Sequence, residues 1–207
     1  MNENDKIQLE EDLILFLFDK KAIKIGNFTL SSGRKSRFYL DLRILQSYPL
    51  YFRKTISLLK TLIHSQIGLE NFDYLCSVPT SGTVFGSALS YELFKPHIYV
   101  RKDLKNYGTQ KKIEGALEPN SKILFVDDVI TTGQSILTAV KSLSNNSVVS
   151  GVVVLVDRQQ GSQNLFDQFT LKIRSAITIL RIIDVLNDNA RINKNEYDRI
   201  KEELVES

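Results

Sequence analysis

The sequence predicts an α/β fold in which helices flank a parallel sheet. Downstream of residue 74, short apolar runs typical of strands alternate with stretches of helical periodicity, which is the order found in parallel sheets. The apolar run Val148–Val156 is continuous, as expected of a strand buried on both faces. A length of 207 residues is sufficient for a single domain with a sizeable core, so we assign residues 1–207 to one domain.

The composition limits the possible classes of protein. Hydrophobic residues make up 43% and charged residues 25%, an ordinary balance for a globular chain. The net charge of +3 is too small to indicate nucleic-acid binding. The apolar run Leu13–Phe18 is far shorter than the roughly 20 residues that span a bilayer. Because Asp, Glu and Lys dominate the first twelve residues, we expect no signal peptide. With a single cysteine, Cys76, we expect a soluble, cytoplasmic protein without nucleic-acid or membrane partners.

The first part of the chain predicts a helix followed by a hairpin. Glu10–Ala22 has the apolar spacing of an amphipathic helix. Residues 26–43 read as two strands around a polar Ser-Ser-Gly turn, with the second strand over Phe38–Leu42. Tyr51–Gln66 is again helical by its period. We interpret residues 1–45 as an N-terminal helix and a small hood appended to the main domain.

The alternation that defines the sheet occupies residues 72–175, which we predict to be the α/β core. Its predicted strands are Tyr74–Val78, His97–Arg101, Lys122–Asp127, Val148–Val156 and, more weakly, Thr170–Ile173. The predicted helices are Thr83–Leu93, Ser135–Ser144 and Asn195–Val205, and Ala176–Leu186 fits a strand that leads into a helix. We interpret Glu196, Glu202 and Glu203 as part of the solvated surface of the last helix.

Residues 123–135, ILFVDDVITTGQS, give the strongest functional signal. Ligands of open parallel sheets bind beyond the carboxyl ends of the strands, where Asp127 and Asp128 are expected. The loop Thr131–Ser135 then enters a helix, and its backbone N–H groups would bind a phosphate. Because like charges repel, the carboxylates would instead accept hydrogen bonds from the vicinal hydroxyls of a ribose. The stretch therefore predicts a ribose 5-phosphate site, although an Asx turn with an N-cap and no ligand is the alternative.

VDDVITTGQS resembles the phosphoribosyl pyrophosphate (PRPP) motif of the type I phosphoribosyltransferases. The resemblance implies the fold of that family, a parallel sheet flanked by helices with a small N-terminal hood. It also implies a set of residues that bind PRPP: Asp127, Asp128, Val129, Ile130, Thr131, Thr132, Gly133, Gln134 and Ser135.

The stretch YVRKDLKNYGTQKKIEG, residues 99–115, resembles the mobile catalytic lid of the orotate phosphoribosyltransferases within that family. Departure of pyrophosphate from the ribose separates charge, and cations that close over the leaving group would stabilise it while the closed lid excludes water. The alternative is a solvated basic loop. The resemblance implies catalytic roles for Arg101, Lys102 and Lys105, together with Asp127 and Asp128, and PRPP contacts for the three cations and for Tyr107.

Two further stretches fit the same family. In LVDRQQG, residues 155–161, Arg158 matches an arginine that holds orotate, whose carboxylate suits a bidentate guanidinium, although a strand-end arginine in a surface salt bridge is the alternative. FTLSSGRKSRFYLDLR, residues 28–43, resembles the hood, in which an aromatic pair covers the base. Phe38 and Tyr39 match that pair, unless they simply alternate, one buried and one exposed. The implied orotate contacts are Phe38, Tyr39, Thr131 and Arg158.

The chain departs from the family pattern at several positions near the pyrophosphate. Many members have a lysine where this chain has Ser31, Ser-Pro where it has Ser36–Arg37, and a lid histidine where it has Tyr107. Some bacterial members also place a lysine in the loop that corresponds to Val78–Thr83. With fewer fixed cations, we expect more of the charge stabilisation to come from the lid.

The resemblance implies a Mg²⁺-dependent pentosyltransferase of UMP biosynthesis, which converts orotate and PRPP to orotidine 5′-monophosphate and pyrophosphate. The Mg²⁺ would have no direct protein ligand and would be held mainly by substrate and water. The family also implies a homodimer in which each lid reaches the neighbouring site. Two other classes remain open: a phosphoribosyltransferase for a purine or uracil, and a non-catalytic regulator that binds PRPP.

Overall fold

The computed structural model describes residues 1–29, 33, 35–101, 112–143, 147–161, 166 and 171–205. The strands are β1 Ile23–Thr29, β2 Lys35–Leu40, β3 Tyr74–Ser77, β4 His97–Val100, β5 Ile113–Glu114, β6 Lys122–Ile130, β7 Val148–Asp157 and β8 Ile173–Thr178. The helices are α1 Glu3–Asp19, α2 Pro49–Gln66, α3 Ser81–Leu93, α4 Gln134–Val140, α5 Ile179–Asp188 and α6 Lys194–Val205. In the parts of the chain that the structure describes, every helix is too short or too polar to cross a membrane.

The strands form a six-stranded sheet and a separate hairpin. The order in the large sheet is β5-β4-β3-β6-β7-β8, and β1 pairs with β2. Neighbouring strands from β4 to β8 run parallel, whereas β5 runs antiparallel to β4. The predicted α/β class with a mostly parallel sheet is therefore confirmed. Because β3, β4, β6, β7 and β8 point the same way, their carboxyl ends lie at one edge of the sheet, which we call the carboxyl edge.

Both faces of the sheet are covered. Leu124 and Val126 of β6 belong to a buried cluster with residues of α2, α3 and α5, whereas Phe125 lies in a second buried cluster with residues of α4. This alternation follows from strand geometry, in which successive side chains point to opposite faces. The run Val152–Val156 of β7 is completely buried, as its continuous apolar sequence predicts.

The N-terminal helix and hood share the core of the main domain. Leu13, Ile14 and Leu17 of α1 and Phe38 of β2 are buried in the same cluster as the apolar residues of α2 and α5. The hood hairpin, β1 and β2, is therefore held against the sheet domain by continuous apolar packing.

Several element boundaries differ from the predictions. α1 begins at Glu3, seven residues before the predicted start, because Asn2 caps the helix by accepting a hydrogen bond from the Asp5 backbone N–H, at 2.8 Å. Of the weak strand predicted over Thr170–Ile173, Thr170 lies outside the described residues, Leu171 and Lys172 are not in a strand, and Ile173 begins β8. β8 passes directly into α5 at Ile179, which confirms the strand that leads into a helix predicted over Ala176–Leu186.

Candidate active site

Asp127 and Asp128 lie inside β6, near its carboxyl end. The predicted strand ended at Asp127, but pairing with β7 continues to Ile130, which lies opposite Asp157. Val129 and Ile130 extend the ladder because they bury apolar side chains, and Ile130 is only 2% exposed. Both carboxylates are half-buried. Since successive strand residues face opposite sides, the two carboxylates are expected to meet different neighbours.

Asp127 lies against the start of α3. Its Oδ1 accepts a hydrogen bond of 2.9 Å from the Asp128 backbone N–H. A Cβ atom on Gly82 would lie 2.7 Å from that oxygen and 3.2 Å from the Val126 carbonyl oxygen, so only glycine allows this close approach. The first turn of α3 therefore lies directly against this carboxylate.

Asp128 lies within the electrostatic field of Arg43, a residue for which the sequence gave no functional signal. The Asp41 carboxylate, which is hydrogen bonded to the guanidinium of Arg43, raises the pKa of Arg43, and the charge of Asp128 adds a smaller increase. Arg43 also lines a small cavity of about 80 Å³ together with Thr80 and Ser81 of the loop after β3. Arg43 therefore adds a cation near the site. It does not stand at any of the positions where this chain lacks a basic residue of the family pattern.

The loop Thr131–Ser135 turns sharply at Gly133. This glycine has φ +78° and caps α4, which begins at Gln134, one residue earlier than predicted. A side chain on Gly133 would overlap the ring of the completely buried Phe166 and lie 2.9 Å from its Cζ. Gly133 thus meets two requirements at once, a left-handed backbone and close packing under the loop.

Arg158 is buried beside the end of β6. The residue is only 4% exposed, and its backbone N–H donates to the Ile130 carbonyl oxygen at 3.0 Å. The guanidinium lies over the Phe38 ring, 4.3 Å from the ring centre, and Nη2 donates to Ser36 Oγ at 3.0 Å. The alternative of an arginine on the protein surface therefore does not agree with the structure.

The predicted aromatic pair is divided between two environments. Phe38 is completely buried, and the Arg158 guanidinium covers its ring. The prediction that Phe38 stacks on a base is therefore wrong for this conformation, and strand alternation is the reason. Tyr39 is half-buried and lies 5.7 Å from Phe28, measured between ring centres. The stacking role of Tyr39 stays a prediction, and Phe28 is a second aromatic residue beside it.

The base of the predicted lid is a short antiparallel ladder. Tyr99 and Val100 of β4 lie opposite Glu114 and Ile113 of β5, a strand that is too short to be predicted from its sequence. The Arg101 backbone N–H donates to the Lys112 carbonyl oxygen at 2.8 Å. Lys102, Lys105, Tyr107 and Lys111 lie outside the described residues.

An open cleft of about 340 Å³ brings the lid base and the phosphate loop together. Arg101 and Lys112 line it from the lid side, and Gln134 and Ser135 line it from the start of α4. The Arg101 guanidinium is held by Glu114, with 2.7 Å between Nη1 and Oε1. The predicted lid cation Arg101 and its neighbour Lys112 thus line the same cleft as the predicted PRPP loop.

Glu203 on α6 was interpreted as part of a solvated surface, and this interpretation is wrong. The residue is half-buried, and its carboxylate accepts hydrogen bonds from Ser36 Oγ and from the Arg37 backbone N–H. Ile200, three positions earlier, is completely buried. Residues three apart share a helix face, so the position of Ile200 was the signal that could have placed Glu203 against the hood.

The carboxyl edge offers carboxylate oxygens to a metal ion. Among the described residues, no group of three or more histidine, cysteine, aspartate or glutamate side chains that could hold a metal occurs. The two half-exposed carboxylates at the carboxyl edge offer the oxygen donors that Mg²⁺ prefers, with room for its water ligands. Cys76 offers no alternative ligand, because burial raises its pKa to about 12 and keeps the thiol protonated.

His97 lies between the end of β3 and α3. Its Nε2 lies 2.8 Å from Oγ of the buried Ser77, and its Nδ1 lies 3.4 Å from Ser87 Oγ. A Cβ atom on Gly86 would lie 2.6 Å from Nε2, so the ring is closely enclosed. Burial lowers the pKa of His97 below its usual value. The neutral imidazole is therefore the form that fits the folded protein.

We expect acid to destabilise the protein partly through His97. Because its folded-state pKa is lowered, the unfolded chain binds the proton more readily, and stability falls as the pH drops through the unfolded value of about 6.5. The His97→Asn variant should show a flatter dependence of the urea unfolding midpoint on pH between 7.5 and 5.5. The exposed His64 is the matched control, and equal slopes for His64→Asn and His97→Asn would contradict the prediction.

Comparison with known proteins places the chain in a family. The model of the phosphoribosyl transferase domain matches residues 44–187. The chain is 36% identical to an orotate phosphoribosyltransferase of Sulfurisphaera tokodaii over 95% of this chain and 98% of that protein. It is 37% identical to the enzyme of the same name from Cenarchaeum symbiosum, over 81% and 84% of the two chains.

Solved structures agree with this placement. The crystal structure of orotate phosphoribosyltransferase from Aeropyrum pernix superposes on the chain with a TM-score of 0.74 and 31% identity, and the match covers 87% of this chain and 99% of that one. The type I phosphoribosyltransferase fold implied by the sequence motif is therefore confirmed. The chain belongs to the phosphoribosyl transferase domain family, as one of its orotate phosphoribosyltransferases.

Proposed function

We propose that the carboxyl edge of the sheet is where the chain transfers the phosphoribosyl group of PRPP to orotate. The observation that best supports this location is the position of Arg158. Its backbone is hydrogen bonded to Ile130, at the end of the strand that contains Asp127 and Asp128. A guanidinium suited to a carboxylate thus lies beside a loop suited to a phosphate. A product in which a ribose phosphate is joined to a base with its own carboxylate would need both the guanidinium and the loop.

The proposed reaction forms one bond and breaks one at C1 of the ribose. The bond from C1 to the pyrophosphate oxygen breaks, the bond from C1 to N1 of orotate forms, and the N1 proton is released. The loop Thr131–Ser135 would hold the 5-phosphate through its backbone N–H groups, and Asp127 and Asp128 would accept hydrogen bonds from the ribose hydroxyls. Arg101, Lys102, Lys105 and Tyr107 would contact the leaving pyrophosphate.

Mg²⁺ is the proposed cofactor. When bound with PRPP, it supplies neutralising charge to the pyrophosphate. Asp127 and Asp128 are the residues placed to hold it, through its water ligands. We also assign the enzyme to the cytoplasm, on the basis of its composition.

The test of the proposed function is an absorbance assay with purified protein, Mg²⁺, PRPP and orotate. Parallel reactions contain uracil, hypoxanthine or adenine in place of orotate. We expect loss of the orotate absorbance only when Mg²⁺ and PRPP are both present. Turnover of another base instead would identify a different phosphoribosyltransferase, and binding of PRPP without turnover of any base would favour a regulator.

Lys105 is expected to act mainly on the chemical step. Replacing it with alanine should lower kcat by about 100-fold or more, while the KM values for orotate and PRPP change little, because its charge is needed when the pyrophosphate departs. Initial rates over a range of both substrates measure this. Lys172→Ala, at an exposed lysine before β8, is the control. A variant of Lys105 with normal kcat and a raised KM would count against the assignment.

We further propose a homodimer in which the lid of one subunit serves the site of the other. At the end of α3, Tyr91 is 81% exposed and Phe94 is 96% exposed, unusual values for large aromatic side chains so close together. They immediately precede β4, which leads into the predicted lid. Sedimentation velocity should show a dimer for the wild type, and the double variant Tyr91→Ser with Phe94→Ser should shift it toward a monomer.

A further inference from the structure

Glu203 connects α6 with the two segments that surround Arg158. Its Oε2 accepts a hydrogen bond of 2.7 Å from the Arg37 backbone N–H of β2. Its Oε1 accepts hydrogen bonds from Ser36 Oγ at 2.9 Å and from Gln160 Nε2 at 3.1 Å. Gln160 is buried and lies two residues after Arg158. One carboxylate therefore holds the hood strand and the segment after β7 together.

Ser36 transmits this arrangement to the arginine. The residue is only 2% exposed, and its hydroxyl has a single proton, which it donates to Glu203. Because that proton is committed, the oxygen lone pairs are available to accept from Arg158 Nη2, which lies 3.0 Å away. A charged acceptor at the end of such a chain strengthens each hydrogen bond in it.

Two of the contacts of Arg158 set the orientation of its guanidinium. Phe38 packs against its flat face, with 4.3 Å between the guanidinium carbon and the ring centre. The hydrogen bond to Ser36 fixes the rotation of the guanidinium within its plane. Bidentate recognition of a carboxylate depends on that rotation, because both N–H groups must point at the ligand together.

We infer that Glu203 is a positioning residue for Arg158, and that it sets the affinity for the carboxylate of the base. This inference rests on the proposed role of Arg158 in binding orotate. Without the charge on Glu203, the Ser36 hydroxyl loses the acceptor that fixes its orientation. The hydrogen bond that it accepts from Arg158 then weakens, and the guanidinium is free to rotate out of the orientation that bidentate binding needs.

The test compares Glu203→Gln with Glu202→Gln. The first change keeps the size of the side chain but removes its charge. It also replaces one acceptor oxygen with an NH₂ donor, which then faces groups that themselves donate hydrogen bonds. We expect the KM for orotate to rise about 5- to 20-fold, less than the roughly 10- to 150-fold expected when a charged hydrogen bond to the ligand is lost outright, because Arg158 itself remains. The KM for PRPP should change less than about twofold. Glu202 is exposed on the same helix, and its variant should resemble the wild type.

A double variant separates positioning from general stabilisation of the fold. If Glu203 acts through Ser36, Ser36→Ala should also raise the KM for orotate, and adding Glu203→Gln should raise it little further. Equal increases in the KM values for orotate and PRPP, or additive effects of the two changes, would overturn the inference. If the wild type turns over orotate normally and the KM for orotate is unchanged in Glu203→Gln, the inference about Glu203 is wrong and the proposed function still stands. Absence of wild-type turnover would instead contradict the proposed function, and this inference with it.

Discussion

Replacing Arg158 with alanine should raise the KM for orotate by about 10- to 150-fold, which corresponds to roughly 1.5–3 kcal/mol for a charged hydrogen bond. The KM for PRPP should stay close to that of the wild type, because the predicted PRPP contacts come from the loop and the lid. Initial-rate measurements with each substrate varied in turn test both statements. An unchanged KM for orotate would refute the role of Arg158.

Two control variants sharpen this test. Arg158→Lys keeps the positive charge but loses the planar fork, so its KM should lie between those of the wild type and the alanine variant. Arg174→Ala removes a half-buried arginine of the adjacent strand β8, near the opposite end of the sheet, and should leave the KM for orotate unchanged. Because Arg158 also packs on Phe38, thermal unfolding of each variant shows whether a folded protein is being assayed.

Replacing Gly133 with alanine should lower the free energy of unfolding by about 3 kcal/mol, the largest loss expected of these single variants. The left-handed backbone at φ +78° costs roughly 1–2 kcal/mol for any residue with a Cβ atom. Overlap with the Phe166 ring adds about 1–3 kcal/mol of overpacking. Because the loop would move to relieve this overlap, we also expect kcat/KM to fall by more than about tenfold. Urea unfolding and steady-state kinetics measure the two effects.

Gly33 provides a matched control for the backbone contribution. It has φ +81°, but no atom of the described residues lies within 4 Å of the position that a Cβ atom would occupy. Gly33→Ala should therefore show only the conformational cost, and the difference between the two variants isolates the contact with Phe166. Replacing that ring with a smaller side chain, in the double variant Gly133→Ala with Phe166→Leu, should recover part of the stability that Gly133→Ala loses. No recovery would show that the ring contact is unimportant.

The order of the elements could be predicted because buried parallel strands are continuous apolar runs. Val148–Val156 was recognisable for this reason, and the structure extends it by one residue. The end of β6 could not be placed from its sequence, because the polar pair Asp127–Asp128 interrupts the apolar pattern while pairing with β7 continues through it. Strand β5 was missed because its two residues are ordered only by β4.

The residues proposed to contact the substrates were easier to predict from the sequence than the residues that hold them in position. The motif around Asp127 follows from residue types at a strand end, which local sequence records, and Arg158 was identified because its stretch resembles one in a known family. Ser36 and Glu203 act through contacts between distant parts of the chain, and no local pattern identifies such contacts. Phe38 shows the same limitation, because its sequence alone did not decide which face of β2 meets the core.

The hydrogen bond between Ser36 and Glu203 joins residues 167 positions apart in the chain. At a synthesis rate of about 5–20 residues per second, the ribosome needs roughly 8–33 s to produce the second partner after the first. During that interval the hood of the nascent chain exists without the carboxylate that orients it. The proposed base site is therefore among the last parts of the enzyme to mature, and the predicted phosphate loop, whose residues are close in sequence, can form well before it.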